Sequence, residues 1–333
     1  MNKSNLKIAL LGVSHWHLPL YLPGLPGGSV VGISDNDEEI ASRSAAPYAC
    51  PYFTDYRQML RTVKPDFVFA FAPHCQMHEV ASYLINEKIP FTIEKPAGLN
   101  QKEVADLYNK SEQKNVFCAI PFVWRYSDTV NDLKNRYLKG QINHMSYRFV
   151  AGPPSRYLAT SRWMLSQKTA GGGCMTNLGV HFIDMALYLT GCTKAKALAS
   201  VYHYAYEYDI ETYASSLLQI ESGASLTLES GYAFPMTDGV KRENRWTIIT
   251  DKGYYTLAEN DLEIRVFDSM PQHIGLNTDS DPYYEIFART TLSDYEKGIR
   301  PRASLKEMLE TRIILDEINA KAAALCSRKK EVQ

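Results

Sequence analysis

The 333-residue sequence is poor in the features that mark specialised protein classes. Its six cysteines, Cys50, Cys75, Cys118, Cys174, Cys192 and Cys326, form no C-x-x-C pair. That spacing points neither to a zinc ribbon nor to a disulfide framework, and buried free thiols in a reducing compartment are expected. No apolar run approaches the length of a membrane span. The opening "MNKSNLKIALLG" carries too short an apolar run for a signal peptide, so a cytoplasmic protein is expected. Excess charge of one sign is also missing. Thirty-six Lys and Arg against 37 Asp and Glu leave a net charge of −1. This offers no broad attraction to nucleic acid or to an anionic membrane. There is no internal repeat and no low-complexity segment.

One further absence is local. The stretch "LGVSHWHLPL" follows the apolar run "KIALLG", where a dinucleotide-binding chain places a G-x-G-x-x-G turn. Only Gly12 is present; Ser14 and His17 stand at the second and third glycine positions. Gly12 can still make the tight turn. Ser14 is small and its hydroxyl can donate to a phosphate oxygen, while His17 would be pushed outward or would displace the following helix. Helix N-terminal amides would bind phosphate whatever the side chains. The turn is damaged as a fingerprint without being excluded physically.

What is present is a core and a rhythm. Hydrophobic residues make up 45% of the chain and charged residues 22%, as in soluble globular proteins. Over the first 120 residues short apolar runs, "KIALLG", "SVVGIS", "FVFAFA", "PFTIE" and "VFCAI", alternate with helical patterns such as "HEVASYLINEK" and "NQKEVADLYNKSEQK". Continuous apolar strands suit a parallel sheet covered on both faces, so this half predicts a Rossmann-like doubly wound sheet over residues 1–121. From 122 to 333 the texture changes. "HMSYRFVAG", "ALASVYHYAYEYD", "YASSLLQIESGASLTLESGY" and "NRWTIITDKGYYTL" alternate in part and are joined by turn signals, which predicts an α/β domain with an open, largely antiparallel sheet. Tyr202, Tyr204, Tyr206 and Tyr208 would share one strand face, for packing or for an oligomer interface. A helix is expected from Asp281 as N-cap and Pro282 as first residue to Gly298. A last helix, about 304–326, opens on a Ser304–Glu307 capping box, with Leu305, Met308, Leu309 and Ile313 as its buried face. It is expected to pack back on the first domain.

Several residues are suited to chemistry. Asp35 ends the second strand candidate, about twenty residues past Gly12, where an acidic residue accepts the ribose hydroxyls of an adenosine. Asn36, Asp37, Glu38 and Glu39 follow it without a nearby cation, so a 2′-phosphate would be repelled and NAD is expected over NADP. A turn aspartate after a strand is the plainer explanation of Asp35 alone. His15 and His17 form His-x-His at one strand end, and His74 and His78 follow another in "APHCQMH". Neutral imidazoles ligate zinc, yet no cysteine or carboxylate-rich partner accompanies them, and no metal is expected. In "FTIEKPAGLN", Glu94, Lys95 and Pro96 follow the fifth strand candidate, at the sheet edge where such folds bind ligands. In "TAGGGCMTNLGVHFIDMALYLTG", Gly171–Gly173 lead into a helix ended by Gly191. Asn177 and His181 are four apart on one face, with Asp184 three further on. A histidine there can move a proton near neutral pH, although His181 alone would more simply be a hydrogen-bonded core residue.

Taken together, Gly12, Asp35, the "APHCQMH" loop, "EKP", Arg125–Tyr126, "GGGCMTNLGVHFID" and the closing "G-x-R-P" resemble the Gfo/Idh/MocA family of glucose–fructose oxidoreductase, inositol dehydrogenase and rhizopine-catabolism proteins. The resemblance spans nearly the whole chain. It implies a Rossmann domain followed by an open-sheet domain that often joins dimers or tetramers. It implies a sugar, polyol or inositol substrate, with Lys95 and His181 as the catalytic or substrate-orienting pair. It implies a cofactor held along Gly12, Ser14, His15, Trp16, Asp35, Ala72, Pro73, His74, His78, Glu94 and Lys95. Arg125, Tyr126, Tyr157 and Trp163 are candidate substrate walls, and Asn177 is expected to orient the substrate through neutral hydrogen bonds. The family usually carries aspartate where Asn177 stands. The expected function is therefore NAD-dependent hydride transfer to or from a secondary alcohol or carbonyl of a sugar-like molecule. The alternatives are a non-catalytic NAD- and sugar-binding regulator on the same fold, and a metal hydrolase built on the four histidines.

Overall fold

The computed structural model describes residues 6–237 and 239–331, with side chains described as far as Leu325. The start of the N-terminal segment weighed as a signal peptide and the Cys326 thiol lie outside the described residues.

The first sheet has six strands: β1 (Ile8–Leu11), β2 (Val30–Ser34), β3 (Tyr52–Phe53), β4 (Phe67–Ala70), β5 (Phe91–Ile93) and β6 (Cys118–Ala119). They are all parallel and lie in the order β3-β2-β1-β4-β5-β6. β1, β4 and β5 are buried along their whole length, which is why they read as unbroken apolar runs. β3 is two residues long and carried no apolar signal. The connecting helices are α1 (Leu18–Tyr21), α2 (Glu38–Ala45), α3 (Tyr56–Val63), α4 (His74–Asn86) and α5 (Gln101–Lys114). Side-chain caps start three of them: Asp37 accepts from the amide of Ile40, Asp55 from Arg57, and Asn100 from Lys102 and Glu103. Strand order reverses between β1 and β4, so a crevice opens at their carboxyl ends. Gly12, Ala72–His74 and Glu94–Lys95 all follow strands at that edge.

The expected boundary at 121–122 falls in the connection between β6 and β7, which holds the short helix α6 (Asp128–Asp132). The second sheet is formed by β7 (Ile142–Ala151), β8 (Ala195–His203), β9 (Tyr213–Ile220), β10 (Ser225–Gly231), β11 (Arg242–Thr250), β12 (Gly253–Ala258), β13 (Asp261–Val266) and β14 (Gln272–Gly275), in the order β14-β13-β12-β11-β7-β10-β9-β8. Its pairs are antiparallel except β7 with β10. The tyrosine stripe is corrected: β8 ends at His203, so Tyr204, Tyr206 and Tyr208 fall in the following loop, and Tyr202 bonds Asn319 instead.

Four more helices complete the chain: α7 (Gln167–Ala170), α8 (Val180–Thr190), α9 (Pro282–Glu296) and α10 (Leu305–Glu331). Phe182 of α8 packs on Tyr147, Phe149 and Trp246 of the second sheet. Asp281 occupies the N-cap position of α9 without capping it; its carboxylate pairs with Arg242 at 2.8 Å. The capping box forms, with Glu307 accepting from the Ser304 amide at 2.8 Å. The buried face of α10 differs from expectation. Leu309 is only partly buried and Ile313 is 47% exposed, while Met308, Thr311, Arg312, Leu315 and Ile318 point inward. Arg312 bonds the carbonyls of Gly98 and Leu99, and Asp316 accepts from the Gln101 amide, so α10 lies on the start of α5. The thiols are not uniformly buried either: Cys118 and Cys174 are, Cys50 and Cys192 are partly so, and Cys75 is exposed at the first turn of α4.

α8 is buried nearly all round, so its one carboxylate needs a partner. Asp184 finds it in Arg125, whose Nε and Nη2 reach the carboxylate at 2.8–3.1 Å. Of the expected substrate walls, Arg125 holds Asp184 and the carbonyl of Arg302, and Tyr126 packs on Phe287. Asp184→Ala would strand a buried guanidinium. The expected loss is about 3–5 kcal/mol of stability, read from urea unfolding; a loss under about 1 kcal/mol would show that the pair is not structural.

Candidate active site

Gly12 directly follows β1 with φ +75°, a left-handed conformation, and a Cβ there would meet the Phe71 carbonyl oxygen at 2.9 Å. Glycine is therefore required by the approach of β1 to β4. The turn after it is self-contained. The Ser14 amide donates to Asp35 at 2.7 Å, the His15 amide to the Gly12 carbonyl, and the His17 amide to His15 Nδ1. α1 is only four residues long, so it offers no extended helix N-terminus for phosphate; the turn before it carries the Ser14 hydroxyl and the Trp16 indole N–H, which is buried without a hydrogen-bond partner. Asp35 is buried at the end of β2 and also accepts from the Asp37 amide.

The four histidines do not assemble. His15 and His17 turn inward with Glu94, and ligand-capable atoms of these three lie within 4.8 Å of one another. His17 Nδ1 faces Glu94 Oε1 at 2.9 Å, Tyr21 donates to the same oxygen, and Tyr284 sits 3.2 Å from His17 Nε2. Glu94 Oε2 is buried without a hydrogen-bond partner. These three residues could hold a metal. His74 instead faces the Ala170 carbonyl at 2.7 Å, and His78 is turned away to Asp106 on α5. The four-histidine site required by a metal hydrolase is not formed, and His78, expected along the cofactor, faces Asp106 instead. Burial holds His15 and His17 well below the usual imidazole range and lowers His74 to about 3, so all three are neutral.

Lys95 lies at the centre. Its Nζ donates to the Asn177 backbone carbonyl at 2.8 Å and to Asn177 Oδ1 at 2.6 Å. Burial lowers it from 10.5 to about 8, against the pull of neighbouring Glu94. The Asn177 amide donates to the hydroxyls of Tyr157 and Tyr232 at 3.0 and 2.9 Å. The side chain of Asn177, expected to orient the substrate, is here engaged by Lys95, Tyr157 and Tyr232. The triglycine explains how Asn177 gets there. A Cβ on Gly173 would fall 2.0 Å from the Glu211 carbonyl oxygen, and the Glu211 carboxylate takes the amides of Gly173 and Met175. A π-helical turn, Met175–Gly179, then runs into α8 and carries Asn177 and His181 to one wall.

A cavity of about 270 Å³ opens there, with Trp16, His17, Lys95, Asn177, His181 and Tyr284 among its walls. His181 Nδ1 is buried without a hydrogen-bond partner, and burial, reinforced by the Lys95 charge, keeps the ring neutral. Trp163 and Tyr157 stand behind this wall: Trp163 covers His15 and His74, and Tyr157 covers Trp16. The sequence reading missed Arg156, Tyr232, Lys241, Arg242 and Tyr284. Arg156 adjoins Tyr157, which was named as a wall, while the other four come from segments whose spacing carries no local motif.

Residues 6–122 match the oxidoreductase family with an NAD-binding Rossmann fold, and residues 135–256 match the GFO/IDH/MocA C-terminal domain. The chain belongs to the Gfo/Idh/MocA oxidoreductase family. It is similar to levoglucosan dehydrogenase of Pseudarthrobacter phenanthrenivorans, at 24% identity over 56% of this chain and 52% of that protein. It is also similar to D-glucoside 3-dehydrogenase of Escherichia coli, at 20% identity over 60% of this chain and 58% of that one. The matched stretch spans little more than half the length of either relative. In fold it is similar to an oxidoreductase of Thermotoga maritima, with a TM-score of 0.83 at 17% identity over 96% of this chain and 98% of that one. A levoglucosan dehydrogenase solved with NADH and levoglucosan gives 0.81 at 16% identity over 96% and 98%.

The turn yields a direct test. Gly12→Ala should cost about 1–3 kcal/mol through its left-handed φ and the contact with Phe71, whereas Ser14→Ala should stay within about 0.5 kcal/mol of the parent. Thermal unfolding of the two variants checks this; equal midpoints would contradict it.

Proposed function

We propose that the chain is an NAD-dependent oxidoreductase acting on a secondary alcohol, or the matching carbonyl, of a sugar-like molecule. The observation that carries this reading is the pairing of a buried ammonium, Lys95, with a neutral imidazole, His181, on one cavity wall at the carboxyl edge of a parallel sheet. Relatives named for dehydrogenation of levoglucosan and of a glucoside support the substrate class.

The residues fit the cofactor. Gly12 lets the turn after β1 pack directly against the backbone of Phe71 and Ala72, and the buried Asp35 carboxylate lies at the strand end beside that turn, where it accepts from the Ser14 amide. Asp35 would take the adenosine ribose, Ser14 a phosphate oxygen, and Ala72–Pro73 with Glu94 the nicotinamide side. Asp37, Glu38 and Glu39 next to Asp35 support NAD over NADP. The cofactor, when bound, accepts or supplies the hydride.

This chain's own residues handle the oxygen and its proton. Lys95 donates to the reacting oxygen and stabilises the negative charge that develops on it. Asn177 fixes the ammonium through two acceptors, and Tyr157 and Tyr232 fix Asn177. His181 takes the hydroxyl proton, for which its neutral state is required. Burial makes His181 a reluctant base, so the nearby positive charge of Lys95 on the oxygen must acidify that hydroxyl first. The pH dependence follows with its sign. The protonated lysine is the working form, so turnover should fall as pH rises through about 8, where Lys95 loses its proton. The exposed apolar side chains Leu198, Val201 and Leu217 on the second sheet support a homodimer or homotetramer through that face. A cytoplasmic location goes with the free thiols of Cys50, Cys75, Cys118, Cys174 and Cys192, and among the described residues no helix is long and apolar enough to cross a membrane.

The test is a titration with NAD and NADP followed by a screen of sugars and polyols for cofactor reduction. NAD should bind more tightly, and Asp35→Ala should weaken it by about 1.5–3 kcal/mol. Lys95→Met and His181→Ala should each lower kcat by about 10²–10³-fold with NAD binding retained. Equal affinity for NADP would remove Asp35 from its role. Sugar and NAD binding together without turnover would replace the enzyme by a regulator on this fold.

A further inference from the structure

The cavity walls carry four cations, Lys95, Arg156, Lys241 and Arg242, against one carboxylate, Asp281. Arg242 is accounted for: it pairs with Asp281 at 2.8 Å and with Asp279 at 3.4 Å. Lys95 is held by the uncharged oxygens of Asn177, with Glu94 beside it. Arg156 and Lys241 are different. Among the described residues neither pairs with a carboxylate. Arg156 is also held in place. Its guanidinium lies over the rings of Tyr157, Tyr232 and Trp16 at 4.7, 5.4 and 5.9 Å, and Nη2 donates to the Tyr157 hydroxyl. Its Nε is buried with no hydrogen-bond partner. A partly buried guanidinium fixed on an aromatic bed, with a donor left unspent, is arranged to receive an anion.

We infer that the substrate carries a carboxylate, and that Arg156, assisted by Lys241 at the mouth, binds it while Lys95 receives the reacting hydroxyl. The substrate class is then a sugar acid rather than a neutral sugar. This inference rests on the oxidoreductase reading for the fate of the hydroxyl, and on the cavity alone for the anion. Three arguments favour a carboxylate. A planar guanidinium fork matches a planar carboxylate. The volume of about 270 Å³ lies just below the usual range of ligand pockets, a size that suits a single small sugar acid. Among the described residues Arg156 and Lys241 also leave positive charge without a paired carboxylate in a cavity with apolar walls, where charge is poorly screened. Such a field discriminates strongly between neutral and anionic forms of one sugar.

The experiment measures binding and turnover separately on the full chain. Calorimetry with NAD present compares D-glucose, sodium D-glucuronate, sodium D-gluconate and glucose 6-phosphate; cofactor reduction is followed with the same four. At least one of the two acids should bind tenfold or more tighter than glucose. Arg156→Gln should erase most of that preference by raising KM for the acid, with the Kd for NAD unchanged, and Lys241→Gln should produce a smaller effect. Raising salt should weaken the acid and leave glucose unaffected. Equal binding of acid and neutral sugar would overturn the proposal and leave the oxidoreductase reading intact. So would a loss of NAD affinity in Arg156→Gln, because it would assign the guanidinium to the cofactor. Preference for the phosphate over both acids would overturn the choice of carboxylate. Tight acid binding without reduction of NAD would uphold the anion site and overturn the oxidoreductase reading.

Discussion

The structure turns on keeping one ammonium group in a dry place. Lys95 is 2% exposed, and moving a charged amine out of water costs several kcal/mol unless something replaces its hydration. Here two oxygens of one residue, Asn177, replace it. This places a strict demand on the segment carrying Asn177, which must reach across from the second half of the chain to the end of β5. The triglycine, the Glu211 carboxylate that takes its amides and the π-helical turn that follows serve that demand. Tyr157 and Tyr232 then spend the remaining donors of the Asn177 amide. Few alternatives are left for the ammonium, so its position is defined before any ligand arrives.

The same dryness sets the protonation of everything around it. Burial drives His15, His17, His74 and His181 toward the neutral form, and the Lys95 charge pushes in the same direction. One cation is therefore surrounded by neutral rings, with Glu94 as the nearby counter-charge. Glu94 is itself held by Tyr21 and His17, and His17 by Tyr284 of α9. The C-terminal helices thus belong to the site by contact: α9 through Tyr284, and α10 through Arg312 on the carbonyls before α5. A neutral asparagine in place of a carboxylate beside Lys95 has a consequence as well. It leaves the lysine close to neutrality in its proton affinity, where an aspartate would have held it higher.

Much of the fold was legible because its signals are local. Parallel buried strands read as short apolar runs, the Ser304–Glu307 capping box read directly from its spacing, and "EKP" with the triglycine segment marked the two pieces that meet at Lys95. What was not legible depends on where chain segments meet. The two-residue β3 has no apolar run to announce it. His15, His17, His74 and His78 look like one cluster in sequence, yet helix direction sends His78 to Asp106 and strand direction brings Glu94 to the other pair. Arg125 beside Tyr126 looked like a substrate wall, but the buried Asp184 claims it. Ile313 seemed to lie on the inner face of α10, whereas Arg312 occupies it because carbonyls of the α5 loop wait there. Arg156, Arg242 and Tyr284 reach the cavity from three unconnected segments, and no spacing rule links them.

The most direct test of this account is the titration of Lys95 itself. Lysine side chains labelled with ¹⁵N and ¹³C, followed by NMR from pH 6 to 11, report each ammonium separately. The account predicts one lysine losing its proton near pH 8, well below the rest, and absent from the spectrum of Lys95→Met. In Asn177→Asp, where a carboxylate would replace the neutral amide, that midpoint should rise. If all lysines titrate together above pH 10, or if the low-titrating one survives Lys95→Met, the ammonium is not held in a dry site and the central claim fails.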